Sequence, residues 1–211
     1  MVLPPTESIA AIRRIFRFGF ALALGAMCAL AQNYPFLPLS YSNSALEYNA
    51  ADGFLYTYGI VSTQNSYKTT IYRVNPRTAA VDGTTTVNSN YLNMFQVAPS
   101  GDYLYAGISG YPNSSVLRYH LPDLRLDAQF TLPAYQQFSI GISPSDSHVY
   151  AAVTDTGLSH QGVALFRDGT QIGAAITPSP NSSFSPFALV FVSDSRLLAV
   201  SGTQVYNLNA S

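Results

Sequence analysis

The chain has no tryptophan, a single cysteine and few charges. Each shortage excludes something. Without Trp there is no Trp-Asp signature of WD repeats, and no Trp platform for a sugar or a quinone cofactor. Cys28 lies in an apolar N-terminal stretch expected to be removed. A disulfide framework, a cysteine zinc site and a thiol nucleophile are therefore excluded from what remains. Charged residues are 10% of the 211, against roughly a quarter in an ordinary globular domain. Loss of Arg13, Arg14, Arg17 and Glu7 with the leader leaves seven basic and ten acidic residues, a net charge of −3. That balance gives no electrostatic footprint for nucleic acid or for an anionic membrane surface. After the leader no segment of useful length carries the 3.6-residue apolar period of a helix.

What is abundant favours strands. There are 15 Tyr and 12 Phe among many Val and Ile, the residue types that fit a pleated, half-buried surface. The length suits one domain with a substantial core.

The organising stretch is Val97-Ala98-Pro99-Ser100-Gly101-Asp102-Tyr103-Leu104-Tyr105-Ala106-Gly107. It reads as a short strand, a tight polar turn and a second alternating strand. The pattern returns around Asp52-Gly53, Ser145-Asp146 and Ser193-Asp194. Aligned on Tyr56, Tyr105, Tyr150 and Ala199, the repeats step by 49, 45 and 49 residues. A period of about 40–50 residues with four strands per unit is that of a propeller blade. The expected fold is all-β, with β-propeller-type repeats of four-stranded antiparallel blades, about four of them. The blades are placed at 45–87, 94–132, 138–177 and 187–208. The last has three strands, and the proline-punctuated segment 34–40 is a candidate closing strand. An open arc with exposed blade faces, able to self-associate, is the competing arrangement. Leu55, Leu104, Val149 and Leu197 are expected between blades. Asp52, Asp102, Asp146 and Asp194 are expected to cap their own turns.

Residues 1–31 have the plan of a secretory signal peptide, a helix-forming leader. Arg13, Arg14 and Arg17 precede an apolar run, and Ala29-Leu30-Ala31 supplies a small-residue cleavage site before Gln32. The uncharged run is too short to span a membrane comfortably. Export to the periplasm, the cell surface or the medium is expected, leaving a β domain over 32–211.

The turn Pro99-Ser100-Gly101-Asp102, followed by Val116-Leu117-Arg118-Tyr119-His120 and Pro122-Asp123, resembles the YVTN-type propeller repeat of bacterial surface proteins. It is also similar to the lactonase-type propellers. The resemblance implies a propeller fold and an exported setting. No catalytic residue of the lactonases can be matched position by position.

Propellers bind ligands on the face formed by the loops between second and third strands and between blades. Here those loops are 62–68, 88–93, 110–114, 133–137, 155–161 and 178–185. They carry Tyr67, Tyr91, Tyr111, Tyr135 and His160, with Asn90, Asn113 and Gln136 beside them. Tyr gives broad contact area with a hydrogen-bonding tip, and amides add adaptable polar contacts. That mixture suits a protein, peptide or glycan partner. His120 and His148 are expected on strands. No phosphate loop, metal-ligand set, cofactor motif or catalytic residue is assigned. The expected function is a binding module. The alternatives are a lactonase-like hydrolase and a fragment of a larger surface protein.

Overall fold

A computed structural model describes residues 43–63, 66–89, 92–108, 114–132, 139–155, 161–177, 184 and 186–210. The leader and the candidate closing strand lie outside the described residues. The chain divides into two compact units, Met1–Pro38 with Arg77–Ala79, and Leu39–Pro76 with Ala80–Ser211. Of the first, only the short stretch Arg77–Ala79 is described. All described strands belong to the second.

That unit is built of four antiparallel sheets, and no helix occurs among the described residues. The first sheet holds β1 (Asn43–Asn49), β2 (Phe54–Thr63), β3 (Ser66–Val74) and β4 (Val81–Val87). The second holds β5 (Met94–Val97), β6 (Tyr103–Ile108), β7 (Ser114–His120) and β8 (Arg125–Leu132). The third holds β9 (Ile140–Ile142), β10 (Val149–Asp155), β11 (Gln161–Arg167) and β12 (Thr170–Ile176). The fourth has three strands, β13 (Ala188–Ser193), β14 (Arg196–Ser201) and β15 (Gln204–Asn209). Within every sheet the strands lie in sequence order. This is the four-stranded antiparallel repeat expected from the sequence.

Alternation along the strands gives each sheet two faces, and where two sheets adjoin, their apolar faces cover each other. In the second sheet Leu104 stands opposite Val97 and Tyr119, and all three join the core shared with the first sheet. Tyr105, one residue on, stands opposite Gln96 and Arg118 and joins the core shared with the third and fourth sheets. Tyr56, Tyr105, Tyr150 and Ala199 are all fully buried.

Their burial conceals a change of side. Ala98 N–H bonds to the Tyr103 carbonyl, whereas the matching bond in the third sheet runs from Ser143 N–H to the Val149 carbonyl, one residue farther. A one-residue difference in pairing turns a side chain to the opposite face. Tyr150 therefore stands opposite Ile142 and meets the Tyr105 ring at 5.7 Å, with Phe166 stacked on it at 5.5 Å. Leu104 and Leu197 are fully buried as expected, but Leu55 and Val149 are only half-buried. The extra turn residue explains Val149.

Two of the four turn aspartates also depart from expectation. Asp52 and Asp146 do accept from N–H groups of their own turns, those of Phe54 (2.9 Å) and His148 (3.0 Å). Asp102 also takes the Ser147 hydroxyl of the third sheet (3.0 Å), and Asp194 takes the Ser143 (2.6 Å) and Ser145 (2.5 Å) hydroxyls. In the first turn Asn49 plays this part, its Nδ2 donating to the Gly101 carbonyl at 2.9 Å. The first hairpin turns of successive sheets are thus laced together. Gly101 has φ +79°, and a Cβ there would overlap Ala51 and Asn49.

A buried arginine joins the second sheet to the third. Arg118 Nε lies 2.7 Å from Asp127 on β8, and Nη1 lies 2.5 Å from Asp168 in the β11–β12 turn. Its guanidinium sits over Tyr103 (4.7 Å) and Phe130 (5.3 Å). Burial would lower its pKa, but the hydrogen bonds it donates to Tyr105, Asp168 and Asp127 outweigh this and hold it charged. Burial pushes the Asp168 carboxyl up, but His148 and Arg118 together hold it below the ordinary range. The first sheet repeats the device. Arg73 pairs with Asp82 at 2.8 Å, lies 4.9 Å from the Phe54 ring and donates to the Pro122 carbonyl of the next sheet. His148 stands in the turn before β10 rather than on the strand, with Nδ1 2.8 Å from Asp168.

The cores cover one face of each terminal sheet. Leu46 and Tyr48 on β1 are exposed, and so are Val190 and Val192 on β13 and Val205 on β15.

Candidate binding site

Each sheet begins with a strand at its edge, so one side of that strand's backbone has no ladder partner. The beginnings of these four strands converge. Ala45 and Glu47 of β1, Asn93 with Met94 to Gln96 of β5, Ser139 with Ile140, and Ala188 with Leu189 line one cavity of about 350 Å³. Tyr58 of β2 completes it. The volume falls at the lower end of the range for small-ligand sites.

The cavity's placement follows from connectivity. A strand's beginning adjoins the loop from the preceding sheet and the end of the strand it pairs with. Met94 pairs with Gly107, Ile140 with Ala152 and Ala188 with Val200. The cavity thus lies at the end of the sheets that carries the inter-sheet and second-to-third-strand loops.

Glu47 is the one charged side chain among the described lining residues. It pairs across β1–β2 with Tyr56, which turns it toward the second sheet. Desolvation raises its pKa, and the Val97 N–H, donating to the carboxylate, works against that rise. Tyr58 is held by its hydroxyl, which donates to the Leu92 carbonyl at 2.9 Å, and by the Phe95 ring at 5.2 Å. Those two rings form a rigid apolar wall, and Gln96 and Ser139 add half-buried polar groups. No Lys, Arg or His stands among the described lining residues. Among the described residues no group of three or more His, Cys, Asp or Glu is placed to hold a metal ion.

Most of the sequence-chosen residues cannot be placed on this frame. Tyr91, Asn90, Tyr111, Asn113, Tyr135, Gln136 and His160 lie outside the described residues. Tyr67 stands on a strand and not in the expected loop: β2 extends to Thr63, β3 starts at Ser66, and Tyr67 pairs with Ser62. The alternating run 66–74 prolongs the ladder and shortens the expected loop. Glu47 escaped notice because a single acid in an alternating strand looks like a solvated position. Its signal is that it shares a face with Ala45 and Asn49 rather than with Leu46 and Tyr48.

No protein-family model matches the chain. No curated protein matches it either. Among solved structures it is similar to the β-propeller domain of Cps50 (Swd1) from Myceliophteria thermophila, with TM-score 0.65 and 16% identity over 84% of this chain and 55% of that one. It is similar to an uncharacterized protein of Listeria monocytogenes, with TM-score 0.57 and 7% identity over 81% and 51%. A gluconolactonase of Xanthomonas campestris gives TM-score 0.50 and 16% identity over 84% and 59%. The chain spans little more than half the length of each. At such identities the likeness is one of fold alone, and the fold is that of a β-propeller.

Proposed function

We propose that this is an exported β-propeller binding module that takes a protein, peptide or glycan at the end of the sheets where the cavity lies. The observation that carries the reading is the cavity lining, in which polar and aromatic groups surround one carboxylate. Acid–base or nucleophilic chemistry needs a second convergent group. The described lining offers none, while its rings and amides are the parts of a recognition surface. The Pro-Ser-Gly-Asp turn of the second repeat supports kinship with YVTN/lactonase-type propellers and, with the leader, an exported setting. N-terminal sequencing of the exported product should begin at Gln32; a product retaining Met1 in the membrane fraction would contradict export. Self-association of two copies through the exposed apolar face of the fourth sheet belongs to the same reading. The test of function is capture by the full chain on arrays of oligosaccharides and of short peptides. Saturable capture of a defined class is expected. Turnover of an aliphatic lactone with no capture on either array would overturn the reading.

A further inference from the structure

The binding reading leaves the class of ligand open, and the cavity's charge narrows it. The cavity's described lining residues include one carboxylate and no cationic side chain. The influences on Glu47 are loss of water and one backbone N–H, with no cation among them. A partly desolvated carboxylate without a counter-ion is unfavourable, and a ligand that supplies the opposite charge relieves it. The remaining lining fits such a ligand. The unladdered sides of the four edge strands carry backbone carbonyls as well as N–H groups, and Gln96 adds an amide acceptor. Tyr58 and Phe95 add apolar lining against which a methylene stem can pack.

Alternative charges fit less well. An anion would face Glu47 directly, and a neutral sugar would leave the charge unpaired. A divalent metal ion is usually held by more than one anionic ligand, and no group of three or more His, Cys, Asp or Glu placed to hold one stands among the described residues. Resting on the binding-module reading, we propose that the cavity takes the side chain of a lysine or arginine from a peptide or protein ligand, with Glu47 as its counter-ion.

The test uses the full chain and three capped pentapeptides, Gly-Gly-X-Gly-Gly, where X is lysine, arginine or norleucine. Norleucine keeps the stem and removes the charge. Titration calorimetry should show the lysine or arginine peptide bound roughly tenfold or more tightly than the norleucine one, the scale of one charge-assisted hydrogen bond. In Glu47→Gln, with an unchanged circular dichroism spectrum, that preference should vanish. Equal binding of all three peptides by the unaltered chain overturns the proposal, and so does a preference that survives Glu47→Gln. The unaltered chain alone decides the matter if the variant does not fold. Capture of neutral glycans with no preference for a cation overturns this inference and leaves the binding reading standing. Failure to capture anything on either array removes both.

Discussion

Replacing Arg118 by Met tests whether the joint between the second and third sheets is the ion cluster or the ring stack around it. The arginine side chain is 6% exposed, against 26% for Asp127 and 48% for Asp168. Asp168 can recover water once the guanidinium is gone, so its pair is worth under about 1 kcal/mol. The less exposed Asp127 takes both Nε and Nη2 at 2.7 Å, and losing those charge-assisted bonds costs about 1.5–2 kcal/mol. Losing the cation over Tyr103 and Phe130 adds about 1 kcal/mol, which the methionine stem offsets in part. The sum is a loss of about 2–3 kcal/mol, or a fall in Tm of roughly 5–10 °C for a unit of this size. Urea and thermal unfolding of Arg118→Met, Asp127→Asn and Asp168→Asn should rank the losses in that order. A value for Arg118→Met within about 0.5 kcal/mol of wild type would refute the reasoning. So would a larger loss from Asp168→Asn than from Asp127→Asn.

Gly101→Ala should destabilise by about 2–4 kcal/mol, combining the positive φ with overlap onto Ala51 and Asn49. Gly53→Ala, at φ +76° with open space around it, should cost only about 1 kcal/mol. Equal losses in urea unfolding would dismiss the turn-to-turn contact. Stability should fall at both ends of the pH scale. Hydrogen bonds from Ser143 and Ser145 hold Asp194 below its ordinary 3.8, and His148 and Arg118 do the same for Asp168 against burial. Their stabilisation is present above the unfolded value and is lost as pH falls through the native ones. Unfolding midpoints should therefore drop below about pH 4, less so in Asp168→Asn/Asp194→Asn. Burial pushes Tyr105 and Tyr119 from 10.0 to about 12, so stability present below pH 10 should be lost as pH rises toward 12. Tyrosinate absorbance rising in one step near pH 10 with the fold intact would contradict this. Sedimentation at increasing concentration should show association that Val190→Asp/Val192→Asp removes, and a wild-type monomer throughout would end that expectation.

The repeat was legible because its signals are local. Alternation, Asp-Gly turns and a fixed period each follow from a few adjacent residues. The side taken by each strand was less legible, because one extra residue between Ser143 and Val149 reverses it without altering the composition. The Arg118 joint left a usable trace: Arg73 with Asp82 and Arg118 with Asp127 are both nine residues apart in the chain. Its reach to Asp168 left none, since that contact depends on how sheets stack. The same holds for Glu47. Its cavity is assembled from four strand beginnings far apart in sequence, and alternation within β1 gives only its face. The turn aspartates misled in part because an Asx turn and a bond to the next sheet need the same residue at the same place.

The central claim is that ligand enters the cavity where β1, β5, β9 and β13 begin. It is tested most directly by filling that cavity. Ser139 lines it, is half-buried and precedes β9, so a bulky side chain there occupies the space with little disturbance of either core. Capture by Ser139→Trp of the best array ligand should fall by roughly tenfold or more, with the thermal transition within a few degrees of wild type. Undiminished capture by a folded Ser139→Trp would contradict the account.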